Sequence, residues 1–398
     1  MHAGKDVYSF RGTDSPLLEV PLNIVVLGGG RVGAAIVRDL AAVKDFTVSV
    51  ADVDPVALER LEEQGATAVP VDLSSEENLR RVIAEADLVV GAVPGFMGFE
   101  TVRRVLEAGK PIVDISFFPE DASGLEETAR EAGVPCLVDC GVAPGLSNMI
   151  LGHVEAALDD TRSFHCLVGG LPVERAWPWE YKAPFSPGDV IEEYMRPARL
   201  RRHGEEITLP PLSEIELVDF PGLGTLEAFN TDGLRSLLKS FDIPDMVEKT
   251  MRYPGHAERM LMLKEAGFFD DREIQAASGV VRPRDVTEAL LFDQWQFDEG
   301  EPDLTVMRIT VEGTQDGKRV RHVYNLLDYY NPDTETSSMA RTTGYTCTAM
   351  ANLVARGLWS EPGVAPPEKV GADLDCYRSV IQHLEERGVH IFRRTEEL

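Results

Sequence analysis

Residues 25–37 read VVLGGGRVGAAIV. Gly28, Gly30 and Gly33 stand in the spacing G-x-G-x-x-G, after an apolar run and at the opening of an amphipathic one. Alone the spacing is weak; between a strand and a helix it predicts a dinucleotide-binding turn. Gly28 permits the tight turn, Gly30 lets a pyrophosphate approach the backbone, and Gly33 lets the helix pack closely on the strand. The unpaired N–H groups of the helix N-terminus, at Arg31 and Val32, then face the phosphates. Nineteen residues after Gly33, Asp52 ends the next apolar run in VADVD. A carboxylate there accepts hydrogen bonds from the adenosine ribose and repels a 2′-phosphate, so NAD is expected as cofactor. Asp54 is the rival for that role but falls in the following turn. Arg31, inside the loop, is the residue that keeps NADP open. Asp72 ends the third run and is expected near the adenine. Ala92, Val93 and Pro94, after the fourth, are expected beside the nicotinamide ribose. Plain strand-end loops are the alternative for both.

A second set of reactive residue types follows. VPCLVDCGVAPG ends a sixth apolar run, which places Asp139, Cys140 and Gly141 at the carboxyl edge of a parallel sheet, where such sheets bind ligands. They are expected to line a cleft between domains; a hinge capping a helix that starts near Pro144 is compatible with this. WEYKAPFS carries Glu180, Tyr181 and Lys182 among aromatics. Asn230, Thr231 and Asp232 lie between a strand and a helix, and Thr231 or Asp232 is either a substrate contact or a helix cap. In MRYPGHAE, Arg252 is placed to fork onto a carboxylate. His256 is either a general base or a hydrogen-bonded structural histidine.

The elements that must hold these residues are legible in outline. Over residues 23–139 six short runs rich in Val and Ile alternate with amphipathic stretches. Runs apolar throughout are buried on both faces, which predicts a doubly wound parallel Rossmann sheet. After residue 140 the strands lengthen and alternate, the mark of a mostly antiparallel sheet with one solvated face. Asp316-Gly317 suits a tight hairpin turn. From Ser338 a helix rich in Ala and Thr opens a final helical segment, expected to pack back on the first domain. The expected division is 1–140 (dinucleotide-binding), 141–335 (an α+β substrate and dimerisation domain) and 336–398 (C-terminal helical segment).

Composition narrows the class of partner. The net charge of −28 disfavours nucleic acid and anionic membranes as partners. No apolar run is long enough to span a bilayer, and residues 1–20 lack the pattern of a secretory signal, reading instead as a ragged arm. The five cysteines are scattered without metal-ligand spacing, so reduced thiols in a cytoplasmic protein and no metal site are expected.

The motifs DCGVAPGLSN, VGGLPV, LEAFNTDG, RYPGHAE and MARTTGYT, in that order, resemble the saccharopine dehydrogenase-like family, and within it the lysine 6-dehydrogenases. The resemblance implies a Rossmann domain completed by C-terminal helices, an α/β substrate domain, a homodimer or larger homo-oligomer, and NAD-dependent oxidation of a lysine-like amine. Lys182 and Asp232 depart from the family's pattern. Together with an acid-rich loop (Glu174, Glu180, Asp189, Glu192, Glu193), it points to oxidation of the side-chain amine of L-lysine. Glu180 or His256 is then the base, with Tyr181 as relay, while Arg252, Thr231 and Asp139–Gly141 fix the amino-acid end. A saccharopine-type reductase and a non-catalytic NAD sensor are the competing readings.

Overall fold

A computed structural model of the protein describes residues 21–398 apart from 186 and 278; the arm read over residues 1–20 lies outside them. In chain order the first strands are β1 (Leu22–Leu27), β2 (Phe46–Asp52), β3 (Thr67–Pro70), β4 (Leu88–Gly91), β5 (Ile112–Asp114) and β6 (Pro135–Leu137). Then come β7 (Asp160–Pro172), β8 (Ala198–Arg202), β9 (Glu205–Leu209), β10 (Glu216–Phe220), β11 (Gly224–Asn230) and β12 (Asp245–Arg252). A small ribbon, β13 (Ile274–Ala276) and β14 (Gly279–Val281), precedes β15 (Asp303–Gln315) and β16 (Lys318–Tyr329). The C-terminal region adds β17 (Gly363–Ala365) and β18 (Ile391–Glu397).

The first sheet is parallel, in the order β17-β6-β5-β4-β1-β2-β3. Its inner strands β4 and β5 are buried along their whole length because both faces are covered, whereas the edge strand β3 is partly exposed. In β1, Ile24 and Val26 enter one core while Val25 and Leu27 enter the other. The order reverses between β1 and β4, and ligands bind at such a point, beyond the carboxyl ends of the strands.

The second sheet is mixed and mostly antiparallel, running β10-β11-β12-β7-β15-β16-β18, with β8 and β9 attached at β12. Its one parallel neighbour pair on that path is β12 with β7. The β15–β16 hairpin turns at Asp316 and Gly317, both left-handed (φ 52° and 74°), as the Asp-Gly pair anticipates.

The stretch read as purely helical from residue 336 needs correction. It contains the helices Ser338–Ala355, Pro367–Ala372 and Leu374–Glu386, but β17 extends the first sheet and β18 the second. A three-residue strand is too short to show a period, and β18 is an edge strand whose charged residues mask its alternation. The long helix lies against the helix Arg31–Ala41, where a Cβ on Gly344 would stand 3.3 Å from that of Ala35. The helix expected from Pro144 starts at Leu146, with Gly145 as its N-cap. The helix expected after Asp232 is confined to Leu237–Ser240. All five cysteines are buried free thiols. Among the described residues no helix is long and apolar enough to cross a membrane.

Candidate active site

A cavity of about 680 Å³ opens between the carboxyl ends of the first sheet and the face of β12. Gly28, Gly30, Arg31, Val32 and Gly33 line one end, with Asp52, Ala92, Val93 and Pro94. Gly28 adopts φ 105°, and a Cβ on it would lie 2.4 Å from the Ala92 carbonyl oxygen. A Cβ on Gly33 would lie 2.1 Å from the Gly28 oxygen. These two glycines bring the loops after β1 and β4 and the first helix together. Gly30 differs: nothing lies within 4 Å of where its Cβ would be. It is the N-cap of the helix Arg31–Ala41 and provides no side-chain cap, so the orphan N–H groups of that helix start on an open space. Room, exposed donors and the helix dipole together fit a pyrophosphate.

Asp52 is braced in the same place. Its Oδ2 accepts from Gly29 N at 2.6 Å and its Oδ1 from Asp54 N at 2.9 Å. Asp54 caps the helix Pro55–Glu62 through Val56 N at 2.9 Å, which removes it as a rival. The Arg31 guanidinium donates to the Ala183 carbonyl at 3.1 Å, and both residues line the cavity. Asp72 does not line the cavity. It is exposed, and its carboxylate accepts from Ser74 N at 2.9 Å, closing the turn after β3; that hydrogen bonding lowers its pKa.

The opposite end is built by strand alternation. Glu248, Thr250 and Arg252, at i, i+2 and i+4 of β12, share one face and line the cavity. Arg252 is buried and stacks over the Tyr181 ring at 4.5 Å. It pairs with Glu193 at 3.2 Å and donates to the Met251 carbonyl at 3.0 Å, leaving its Nε without a partner. Burial pushes the Glu193 pKa up, against the pull of Arg252. Glu193 comes from the helix Pro187–Met195, which also brings Asp189 to the wall. Thr231 donates to Glu248 Oε2 at 2.7 Å and contacts the Thr250 hydroxyl at 2.9 Å. Asp232 is held by a two-point pair with Arg199, at 2.9 and 2.8 Å.

Asp139 and Gly141 reach this cavity from the end of β6. Asp139 is left-handed (φ 55°) and buried; its Oδ2 accepts from Arg235 at 2.8 Å and its Oδ1 has no partner. Cys140, expected on the wall, instead points into the core with its thiol against the Val138 carbonyl, and burial raises its pKa far above normal.

The catalytic trio read from the sequence is not on the cavity wall. Glu180 pairs with Arg175 at 2.8 Å, and Arg175 stacks on Tyr253. Tyr181 is buried behind Arg252, against Trp295. His256 is fully buried, with Nδ1 2.9 Å from the Trp179 carbonyl and Nε2 2.9 Å from the Tyr194 hydroxyl. A carbonyl only accepts, so Nδ1 carries the proton and Nε2 accepts from Tyr194. Neither nitrogen is free to act as a base. Burial pushes its pKa down to about 3, helped by Arg252. Tyr181 therefore supports Arg252 from behind, with His256 packed on Tyr181. Glu248 was missed; its signal is the alternation Glu-x-Thr-x-Arg inside an otherwise buried strand.

A pH effect on stability follows from His256. Its folded pKa lies below that of the unfolded chain, so the unfolded state binds the proton first as pH falls from about 6.5 towards 3. The stability it contributes is complete above about 6.5 and is lost on acidification, at most about 1.4 kcal/mol per pH unit. His256→Gln is expected to melt with a shallower pH dependence between pH 6 and 4 than the wild type. Parallel melting curves against pH would refute this.

The comparisons with known proteins agree with this layout. Residues 24–137 match the saccharopine dehydrogenase NADP binding domain, and residues 141–389 match the saccharopine dehydrogenase C-terminal domain. The chain belongs to the saccharopine dehydrogenase family. As a member of that oxidoreductase family it uses its first domain for a nicotinamide nucleotide. Saccharopine dehydrogenase [NADP(+), L-glutamate-forming] of Schizosaccharomyces pombe is 23% identical to this family member, with 93% of this chain and 98% of that protein covered. Carboxynorspermidine synthase of Vibrio cholerae is 26% identical, over 76% of this chain and 78% of that protein. The apo saccharopine dehydrogenase (L-Glu forming) of Saccharomyces cerevisiae superimposes with a TM-score of 0.78 at 19% identity, covering 94% of this chain and 100% of that one; this likeness shows the fold.

Proposed function

We propose that the protein is an NAD-dependent amino-acid dehydrogenase that oxidises the side-chain amine of L-lysine to 2-aminoadipate 6-semialdehyde. The observation that carries this reading is the charge of the substrate end. Asp139, Asp189, Glu193, Asp232 and Glu248 line it, with Arg196 and Arg252; Arg235 pairs with Asp139 and Arg199 with Asp232, while the identified partners of Glu248 are neutral. Arg252 already faces Glu193 and Arg196 faces Glu192. Such a wall suits a diamine with one carboxylate better than saccharopine, whose added dicarboxylate needs further cationic anchors.

In this reading lysine, NAD⁺ and water give the semialdehyde, ammonium, NADH and one proton. A nicotinamide nucleotide, which the Gly28–Gly33 loop and Asp52 would hold, would supply the hydride acceptor. The chain supplies the rest: Arg252 receives the α-carboxylate, Asp139 the α-ammonium, and the acidic wall the side-chain ammonium. The last must lose a proton before hydride can leave, because its lone pair drives that step; its pKa is about 10.4 in water. The saccharopine reading rests on the likeness to saccharopine dehydrogenases. Absorbance of NADH with lysine or saccharopine, each with NAD or NADP, separates the two. Reduction of cofactor by saccharopine and not by lysine would overturn the proposal.

Asp52 sets the cofactor preference in this reading. A charge-assisted hydrogen bond is worth about 1.5–3 kcal/mol, so Asp52→Ala is expected to weaken NAD binding by about tenfold or more. Equal use of NADP and NAD by the unaltered protein would refute the assignment.

A further inference from the structure

Glu248 is a buried carboxylate on the cavity wall that carries no counter-charge of its own. Its identified partners are neutral donors: the Thr231 hydroxyl at 2.7 Å and the Gly233 backbone N–H. Gly233 is pressed so close that a Cβ on it would stand 2.4 Å from the Glu248 carboxyl carbon. Among the described residues no Lys, Arg or His forms an ion pair with it. The charged and titratable groups around it are Glu193 on the facing helix, Asp232 after β11, Cys166 beside it on β7, and Arg252 on its own face of β12. Arg252 pairs with Glu193 and not with Glu248. A buried acid without a cation is costly to keep ionised, unless a ligand brings the cation.

We propose that Glu248 is the catalytic base: it receives the side-chain ammonium of the substrate and removes its proton. This rests on the amine-oxidation reading above. The proton moves from nitrogen to Glu248, and the C–H electron pair leaves as hydride to the nicotinamide. Water then adds to the resulting iminium carbon. The C–N bond breaks, the hydroxyl proton leaves with the nitrogen as ammonium, and the proton on Glu248 is the one released to solvent.

The geometry explains the tuning this role needs. Burial, then the nearby Glu193 and Asp232, push the Glu248 pKa up to about 8 against the Thr231 hydrogen bond. A base performs best when its pKa lies near the working pH. Thr231, whose hydroxyl also contacts that of Thr250, holds the carboxylate in place without supplying charge, so an arriving ammonium is its first cationic partner. Asp114 also sits near 8, through burial, but lies beneath the wall with its carboxylate on Ser116 N and Oγ.

The test compares unaltered protein, Glu248→Gln and Glu248→Asp, with thermal melting and nicotinamide binding to establish that each is folded. With saturating lysine and NAD, Glu248→Gln is expected to lose at least about a hundredfold in kcat. The acidic limb of kcat/KM near pH 8 should vanish in it and persist, at a lower rate, in Glu248→Asp. Activity within threefold, or an unchanged limb in Glu248→Gln, overturns the assignment. An independent readout is the infrared band of protonated carboxyl groups. It should titrate near pH 8, weaken when n-butylamine is added, and lose that component in Glu248→Gln. If the unaltered protein forms no NADH from lysine, the amine-oxidation reading fails, and the infrared titration alone decides on Glu248. Identical spectra in the two proteins reject it.

Discussion

Gly30→Ala is expected to leave the fold and its melting temperature unchanged and to weaken nicotinamide-cofactor binding by at least about a hundredfold. The space around the Gly30 Cβ position is empty for 4 Å, so the methyl group meets no protein atom. It stands instead in the space where a pyrophosphate meets the helix N-terminus. Charge-assisted hydrogen bonds contribute about 1.5–3 kcal/mol each, and displacing the phosphates by the width of a methyl group disturbs at least two. Gly28→Ala should behave differently. Its Cβ would meet the Ala92 backbone in a left-handed conformation, so it should lower the melting temperature as well as binding. Titration of NADH fluorescence beside thermal melting separates the two variants. Unaltered cofactor affinity in Gly30→Ala would remove the glycine loop from the binding site.

A chain ending at Asn331 is expected not to fold. It loses β17 from one sheet and β18 from the other, together with the helix Ser338–Ala355. It also strips two buried carboxylates of their partners. Asp303 accepts from Ser338 N at 2.6 Å and Met339 N at 3.0 Å, and Asp328 pairs with Arg341 at 3.2 Å and accepts from Ser338 Oγ at 2.8 Å. Breaking a buried pair by removing one side costs about 3–5 kcal/mol. That one ion-pair loss, with the two backbone donors taken from Asp303 and the exposed core added, is large against the roughly 5–15 kcal/mol by which folded proteins are stable. Circular dichroism and melting of the truncated chain check this. A cooperative transition with undiminished NADH binding would show that the first domain stands without its C-terminal region.

Local rules account for the part of the site that was legible in advance. The glycine loop needs φ above zero, close backbone contact and a helix start, and each requirement falls on residues adjacent in sequence. The same holds for Asp52, whose place at the end of β2 follows from counting, and for the Asp316-Gly317 turn. The presence of Asp139, Gly141, Thr231 and Arg252 on one cavity also followed from strand ends, since the carboxyl edge of a parallel sheet and the ends of neighbouring strands converge there. Where a side chain points was not legible. Cys140 lies one residue from Asp139 yet faces the core, because the left-handed turn at Asp139 decides which neighbour looks outward.

Residue type misled where burial and pairing set the chemistry. His256 and Glu180 are the expected kinds of base, but one has both nitrogens committed and the other is neutralised by Arg175. Glu248 sits in mid-strand, where a glutamate reads as an interruption. Only the packing of β12 against β7, with the loop at Thr231–Gly233 folded over it, gives that carboxylate a cavity to face and no cation to pair with. The sequence by itself thus determined the two sheets, the nucleotide loop and the strand ends that carry the site, since these depend on short-range periodicity and backbone sterics. The tertiary structure decided which polar groups face the cavity, which are spent on each other, and that residues 363–365 and 391–397 complete sheets begun hundreds of residues earlier. Those depend on contacts between segments far apart in the chain, which no local pattern encodes.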